Sequence, residues 1–125
     1  MDIAPRIPAG RQLVESYGER RFRVSERLFE GSVLVLPLAT SLWAPDSAAE
    51  IAEDSLNALL GPDLEVELLL LGCGARTAAV PQALARRLAA HGIRIESMDT
   101  GAAARTYNLQ AAEGQRVAAA LIAVD

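Results

Sequence analysis

The sequence predicts an α/β domain in which a mainly parallel or mixed sheet carries helices and is preceded by a β-hairpin or meander layer. Three observations predict it. Apolar and polar residues alternate between glycine-marked turns over residues 13–38, the period of half-buried strands. Residues 66–71 are apolar except for Glu67, as in a central strand covered on both faces. Beyond them, segments of helical period closed by glycine alternate with strand-like runs, which is the pattern of βαβ units.

Taken in order, residues 1–11 hold Pro5, Pro8 and Gly10-Arg11 without periodicity and read as an extended tail, leaving 12–125 as a single domain. Strands are expected over 13–17, 20–24, 28–30 and 32–38, with turns at Gly18-Glu19 and Gly31. Ser47 and Glu50 have capping-box spacing, and Ala48, Ile51, Ala52, Ser55, Leu56 and Leu59 follow at helical spacing, so a first helix is expected up to Gly61-Pro62. After the strand at 66–71, Pro81 opens a second helix with Leu84, Leu88 and His91 on one face and Gly92 as its terminator. A strand over 93–98 leads to a third helix, capped by Asp99 or Thr100 and stopped at Gly114, and 117–124 forms the last strand.

Composition removes several function classes. A chain of 125 residues with 51% hydrophobic content can bury a core of its own and is not a disordered segment. Cys73 and His91 are each the only residue of their type, which excludes a disulfide framework, a multi-cysteine zinc site and a histidine dyad. The net charge is −4 and every basic residue is arginine; Arg6, Arg11, Arg20, Arg21, Arg23 and Arg27 cluster early, whereas residues 46–67 carry no base. Nucleic-acid binding is not expected, because no basic stripe is interleaved with the two Tyr, two Phe and one Trp. No targeting segment is visible and no apolar run approaches the roughly 20 residues of a membrane span, so a cytoplasmic, non-spanning protein is expected.

Chemistry is expected where loops leave the carboxyl ends of adjacent parallel strands. Two segments fit, residues 72–76 and 98–108, and their polar and glycine residues outline a candidate crevice: Gly72, Cys73, Gly74, Arg76, Asp99, Thr100, Arg105 and Asn108. Gly72 and Gly74 allow close backbone approach, Arg76 offers a planar fork, and helix-start amides favour an anion. The same glycines also suit a tight strand-to-helix turn, and neither a full dinucleotide fingerprint nor a Walker lysine is present. Cys73 is either a thiolate activated by helix-start amides or a small core residue. Arg105 and Asn108 project together from their helix, and Asp99 pairs with Arg105 or Arg76 if the cluster is a rigid ion pair. Trp43 and Tyr107 are candidates for a partner surface.

With these residues in view, the chain resembles the small-domain family that includes the mitochondrial respiratory complex I assembly factor 3 and the adipogenesis-associated single-domain proteins. The resemblance runs from about Leu13 to Val124 and rests on residues 65–76, Gly92-Ile93, residues 98–108, Glu113-Gly114 and residues 118–122. It implies a three-layer α/β fold with a central mixed sheet and an added β layer. It implies no agreed reaction, and its best-described role is helping assemble complex I. Cys73 departs from the family loop, which more usually has Thr there, and the chain looks like a bacterial member without a mitochondrial presequence. The leading expectation is a non-catalytic interaction or assembly helper with protein partners such as respiratory-complex subunits. The alternative is a small-molecule or anion site, binding or enzymatic, in the 72–76/99–108 crevice. No cofactor or metal is expected, and an exposed β edge would allow a homodimer.

Overall fold

The computed structural model describes residues 10–61 and 64–125. Its first layer is an antiparallel meander of β1 (Val14–Gly18), β2 (Arg21–Val24) and β3 (Arg27–Glu30). Alternation works as expected: Phe22 and Val24 are buried, while Arg21 and Arg23, which alternate with them, face solvent. Both hairpins turn on two residues of positive φ, Glu19 (52°) with Arg20 (61°) and Ser25 (45°) with Glu26 (70°). That geometry matches strand twist but strains residues other than glycine. Tertiary bonds hold it: Arg20 N–H donates to the Val124 carbonyl at 2.7 Å and Ser25 N–H to that of Leu13 at 2.9 Å. The first turn therefore lies one residue later than expected. The expected tail over 1–11 falls largely on residues 1–9, outside the described residues.

A five-stranded sheet follows, built from β4 (Val33–Val35), β5 (Thr40–Leu42), β6 (Leu68–Gly72), β7 (Arg94–Met98) and β8 (Val117–Leu121) in the order β5-β4-β8-β6-β7. The β8–β6 and β6–β7 pairings are parallel, and the β5–β4 and β4–β8 pairings are antiparallel. The sheet is thus mixed, and the expected mainly parallel character is corrected. Its cause is local: β4 and β5 are joined by a short turn closed by Leu36 N–H on the Ala39 carbonyl, and so tight a connection permits only an antiparallel pair.

Every residue of β6 and β8 is buried, because both sheet faces are covered. On one face, α2 (Thr100–Ala112) and the meander pack Ala103, Ala104, Tyr107, Phe22 and Phe29 against Leu70, Ala119 and Val35. On the other, α1 (Gln82–Ala89) and the 43–60 segment pack Leu84, Leu88, Trp43 and Leu56 against Leu69, Leu71 and Ala120. Three layers result. The alanines of α2 and β8 let helix and sheet approach closely, a packing role requiring no chemistry. Gly92 ends α1 at φ 77° as expected, and exposed His91 keeps its Nδ1 3.0 Å from the Arg87 carbonyl.

The expected first helix does not form. Residues 48–50 and 57–60 make separate 3₁₀ turns. Ser47 caps no backbone amide, and its hydroxyl meets Glu50 Oε2 instead. Ile51 adopts extended backbone (ψ 124°), Ala52 N–H is captured by Ser55 Oγ at 2.8 Å, and the Ser55 carbonyl accepts the Trp43 indole N–H at 2.8 Å. Tertiary bonds have replaced the helical ones. Among the described residues, no helix is long and apolar enough to cross a membrane.

Candidate functional site

Parallel pairing of β6 with β7 sets Gly72 opposite Met98, so the two loops expected to share a crevice are neighbours. The backbone then knits them together. Cys73 N–H donates to the Met98 carbonyl at 2.8 Å, Thr100 N–H to the Gly74 carbonyl at 2.8 Å, and Ile122 N–H to the Gly72 carbonyl at 2.9 Å. Thr100 lies at the centre, fully buried. Its Oγ1 accepts from Gly74 N–H at 3.0 Å and donates to the Ile122 carbonyl at 2.7 Å.

This junction is tight. A Cβ placed on Gly72 would lie 2.9 Å from Thr100 Cα and 3.0 Å from Leu121 Cδ2, so glycine here serves the approach of α2 to the sheet. Gly72→Ala is expected to cost about 1–3 kcal/mol through overpacking, read as a lower midpoint in urea with an unchanged slope. Gly74, at φ 103°, supplies the left-handed turn that brings its N–H and C=O to Thr100.

The remaining candidates divide between inside and outside. Cys73 is buried, its thiol making only weak contacts with the Leu71 and Ala78 carbonyls at 3.8 and 3.9 Å. Asp99 forms no ion pair among the described residues; its Oδ1 accepts from Ala102 N–H at 2.9 Å and caps α2. Arg105 and Asn108 do project together, and what they meet is β1. Arg105 Nη1 donates to the Tyr17 hydroxyl at 2.9 Å. The Asn108 amide accepts from Val14 N–H at 2.8 Å and donates to the Val14 carbonyl at 2.6 Å, imitating a strand partner. Arg76 is exposed and unpaired among the described residues.

Trp43 and Tyr107, expected at a partner surface, lie in the interior at 8% and 0% exposure. Trp43 is fixed by Ser55, and the Tyr107 hydroxyl donates to the Gln12 carbonyl at 2.7 Å. Burial pushes the Tyr107 phenol well above its ordinary pKa, with a smaller opposing pull from Arg11. Among the described residues no cluster of three His, Cys, Asp or Glu could hold a metal.

Sequence reasoning missed the exposed leucines. Leu28, Leu38 and Leu42 are 55%, 69% and 61% exposed. Leu28 and Leu42 line an open groove of about 740 Å³ with Phe29, Arg27 and Glu30, between β3 and β5, each the last strand of its sheet. A signal did exist: Leu28 and Phe29 are adjacent in one strand, so they must face opposite ways.

Fold and site together define a three-layer α/β domain whose glycine-rich loop cluster is a closed junction of helix, sheet and meander. The chain belongs to the family described as "Protein of unknown function (DUF498/DUF598)", whose model matches residues 14–122. An uncharacterized protein of Rhodobacter capsulatus is 40% identical over 124 residues, covering 96% of this chain and 93% of that protein. The NADH dehydrogenase [ubiquinone] 1 alpha subcomplex assembly factor 3 of Danio rerio is 34% identical over 110 residues. That match covers 88% of this chain but only 63% of the longer relative. Among solved structures, one titled an outer membrane protein from Bartonella henselae superposes with a TM-score of 0.85 at 31% identity, covering 98% of this chain and 99% of the other. A Bordetella pertussis protein described as a Mth938-like domain gives 0.82 at 28% identity, with 98% and 92% covered.

Proposed function

We propose that this protein is a non-catalytic assembly helper that binds subunits of a respiratory NADH dehydrogenase, acting from the cytoplasm. The observation carrying this reading is the leucine-lined groove between the edges of β3 and β5, which pair with no further strand among the described residues. Such an edge offers unpaired backbone groups to an extended segment, and flanking apolar side chains favour an unassembled, still apolar one. The similarity to the NADH dehydrogenase assembly factor of Danio rerio supports the choice of partner.

The test is recovery of partners on the tagged full chain from its own host. Wild type is expected to enrich NADH dehydrogenase subunits, and the Leu28→Asp/Leu42→Asp double variant to recover about tenfold less, since losing two well-buried leucine contacts costs at least 1.4 kcal/mol. Both side chains are exposed, so the variant should keep its circular dichroism and melting temperature. Equal recovery by the variant, or no subunit above the tag control, overturns the reading. So does stabilisation by inorganic phosphate that Arg76→Ala or Arg105→Ala abolishes, which would assign the role to a small-anion site at the β6 and β7 ends.

A further inference from the structure

At the opposite margin of the five-stranded sheet, β7 is the last strand. Its inward backbone groups are those of the even-numbered residues: Arg94 N–H donates to the Glu67 carbonyl and the Met98 carbonyl accepts from Cys73 N–H. Because direction alternates along a strand, Ile95 and Ser97 turn their N–H and C=O away from β6, toward an edge that no strand among the described residues pairs with. Side chains alternate as well. Ile95 packs on the α1 face and Met98 on the α2 face, so Arg94 and Glu96, both exposed, share the α2 face.

We propose that this edge pairs antiparallel with the same edge of a second copy, Ile95 facing Ile95 across a two-fold axis. In that register the two Ile95 residues exchange both backbone bonds, and each Ser97 N–H meets the Ile93 carbonyl of the other copy. The Ile93 N–H is already satisfied by the Leu88 carbonyl. On the α2 face Arg94 of each copy falls opposite Glu96 of the other, giving two complementary ion pairs. Registers displaced along the strand lose this match; centring on Glu96 sets like charges face to face. Beside the edge on the α1 face lies an open, mainly apolar groove of about 660 Å³ lined by Val80, Ala85, Ala89, Ile93 and Ile95 together with the charged Glu67 and with Arg94. The small alanines leave room for the second copy to cover it. A second copy is therefore the occupant that matches this edge's charges, the Ile95 N–H and C=O and the Ser97 N–H, leaving the Ser97 carbonyl to solvent, and pairing reduces the hazard of an open strand edge.

Sedimentation equilibrium on the full chain tests the proposal. Wild type is expected to approach twice the 13.2 kDa chain mass as concentration rises. Arg94→Glu and Glu96→Arg should each raise the dimer dissociation constant about tenfold, replacing two attractive pairs by repulsive ones. Mixing the two variants should restore association, because a chain with two arginines then meets one with two glutamates. The double swap Arg94→Glu/Glu96→Arg should restore it as well. A wild type that stays monomeric at its highest soluble concentration overturns the proposal. So does a dimer indifferent to both single changes, or single-variant loss that mixing does not repair. Loss of subunit recovery in the leucine variant leaves this dimer intact, so the two proposals fail separately.

Discussion

Tyr107→Ala is expected to lower the stability of the fold by about 3–5 kcal/mol, measured by urea denaturation. The side chain is fully buried, in the cluster that joins α2, the meander and the sheet. Its removal leaves a cavity bounded by α2, the meander and the sheet, which cannot all collapse into it. Its hydroxyl also ties the stretch before β1 to α2 through the Gln12 carbonyl. Tyr107→Phe separates the two contributions: it keeps the ring and should cost only about 1 kcal/mol. The phenol adds a pH dependence. In the unfolded chain it ionises near pH 10, whereas burial holds the folded value higher. The contribution is therefore complete below about pH 10 and is lost as pH climbs through the folded pKa, because only the unfolded chain readily releases the proton. Unfolding titrations from neutral to alkaline pH should show wild type losing stability more steeply than Tyr107→Phe. Parallel curves would show that the phenol is not sheltered as described.

The same residues show what a sequence makes legible. Strand alternation in 21–24 and the glycine stop at Gly92 depend on neighbours in the chain, and both were readable. The co-projection of Arg105 and Asn108 was readable too, from helical spacing alone. What they face was not, because Tyr17 and Val14 lie far away in sequence and nothing local marks Asn108 as a stand-in strand. The helix expected after Ser47 failed for the converse reason. Its capping spacing and apolar period were sound locally, yet the indole of Trp43 takes the Ser55 carbonyl and the Ser55 hydroxyl takes Ala52 N–H. With Ile51, Leu56 and Leu59 all buried without a continuous helix, the tertiary arrangement satisfies both core and backbone. The polar loop motif around Gly72 and Thr100 was visible as a unit, and its hydrogen bonds run within it and to Ile122 beyond β8.

Thr100→Val tests that junction most directly, and its expected cost is about 3 kcal/mol. Valine matches threonine in shape, so packing is nearly conserved and the effect comes from hydrogen bonding. The hydroxyl serves two buried backbone groups at once, accepting from Gly74 N–H and donating to the Ile122 carbonyl. Losing it strands both, at about 1–3 kcal/mol each where water cannot enter. Thr100→Ser keeps both bonds and sacrifices a methyl group, which should cost about 1 kcal/mol. Amide exchange localises the effect: in Thr100→Val the Gly74 N–H should lose protection, while the β6 amides before it change only with global stability. A valine variant as stable as the serine one would mean that packing of α2 against Gly72 alone holds the ends of β6 and β8. Opening the loop cluster toward a ligand would then cost only its backbone hydrogen bonds, with nothing added by the Thr100 hydroxyl.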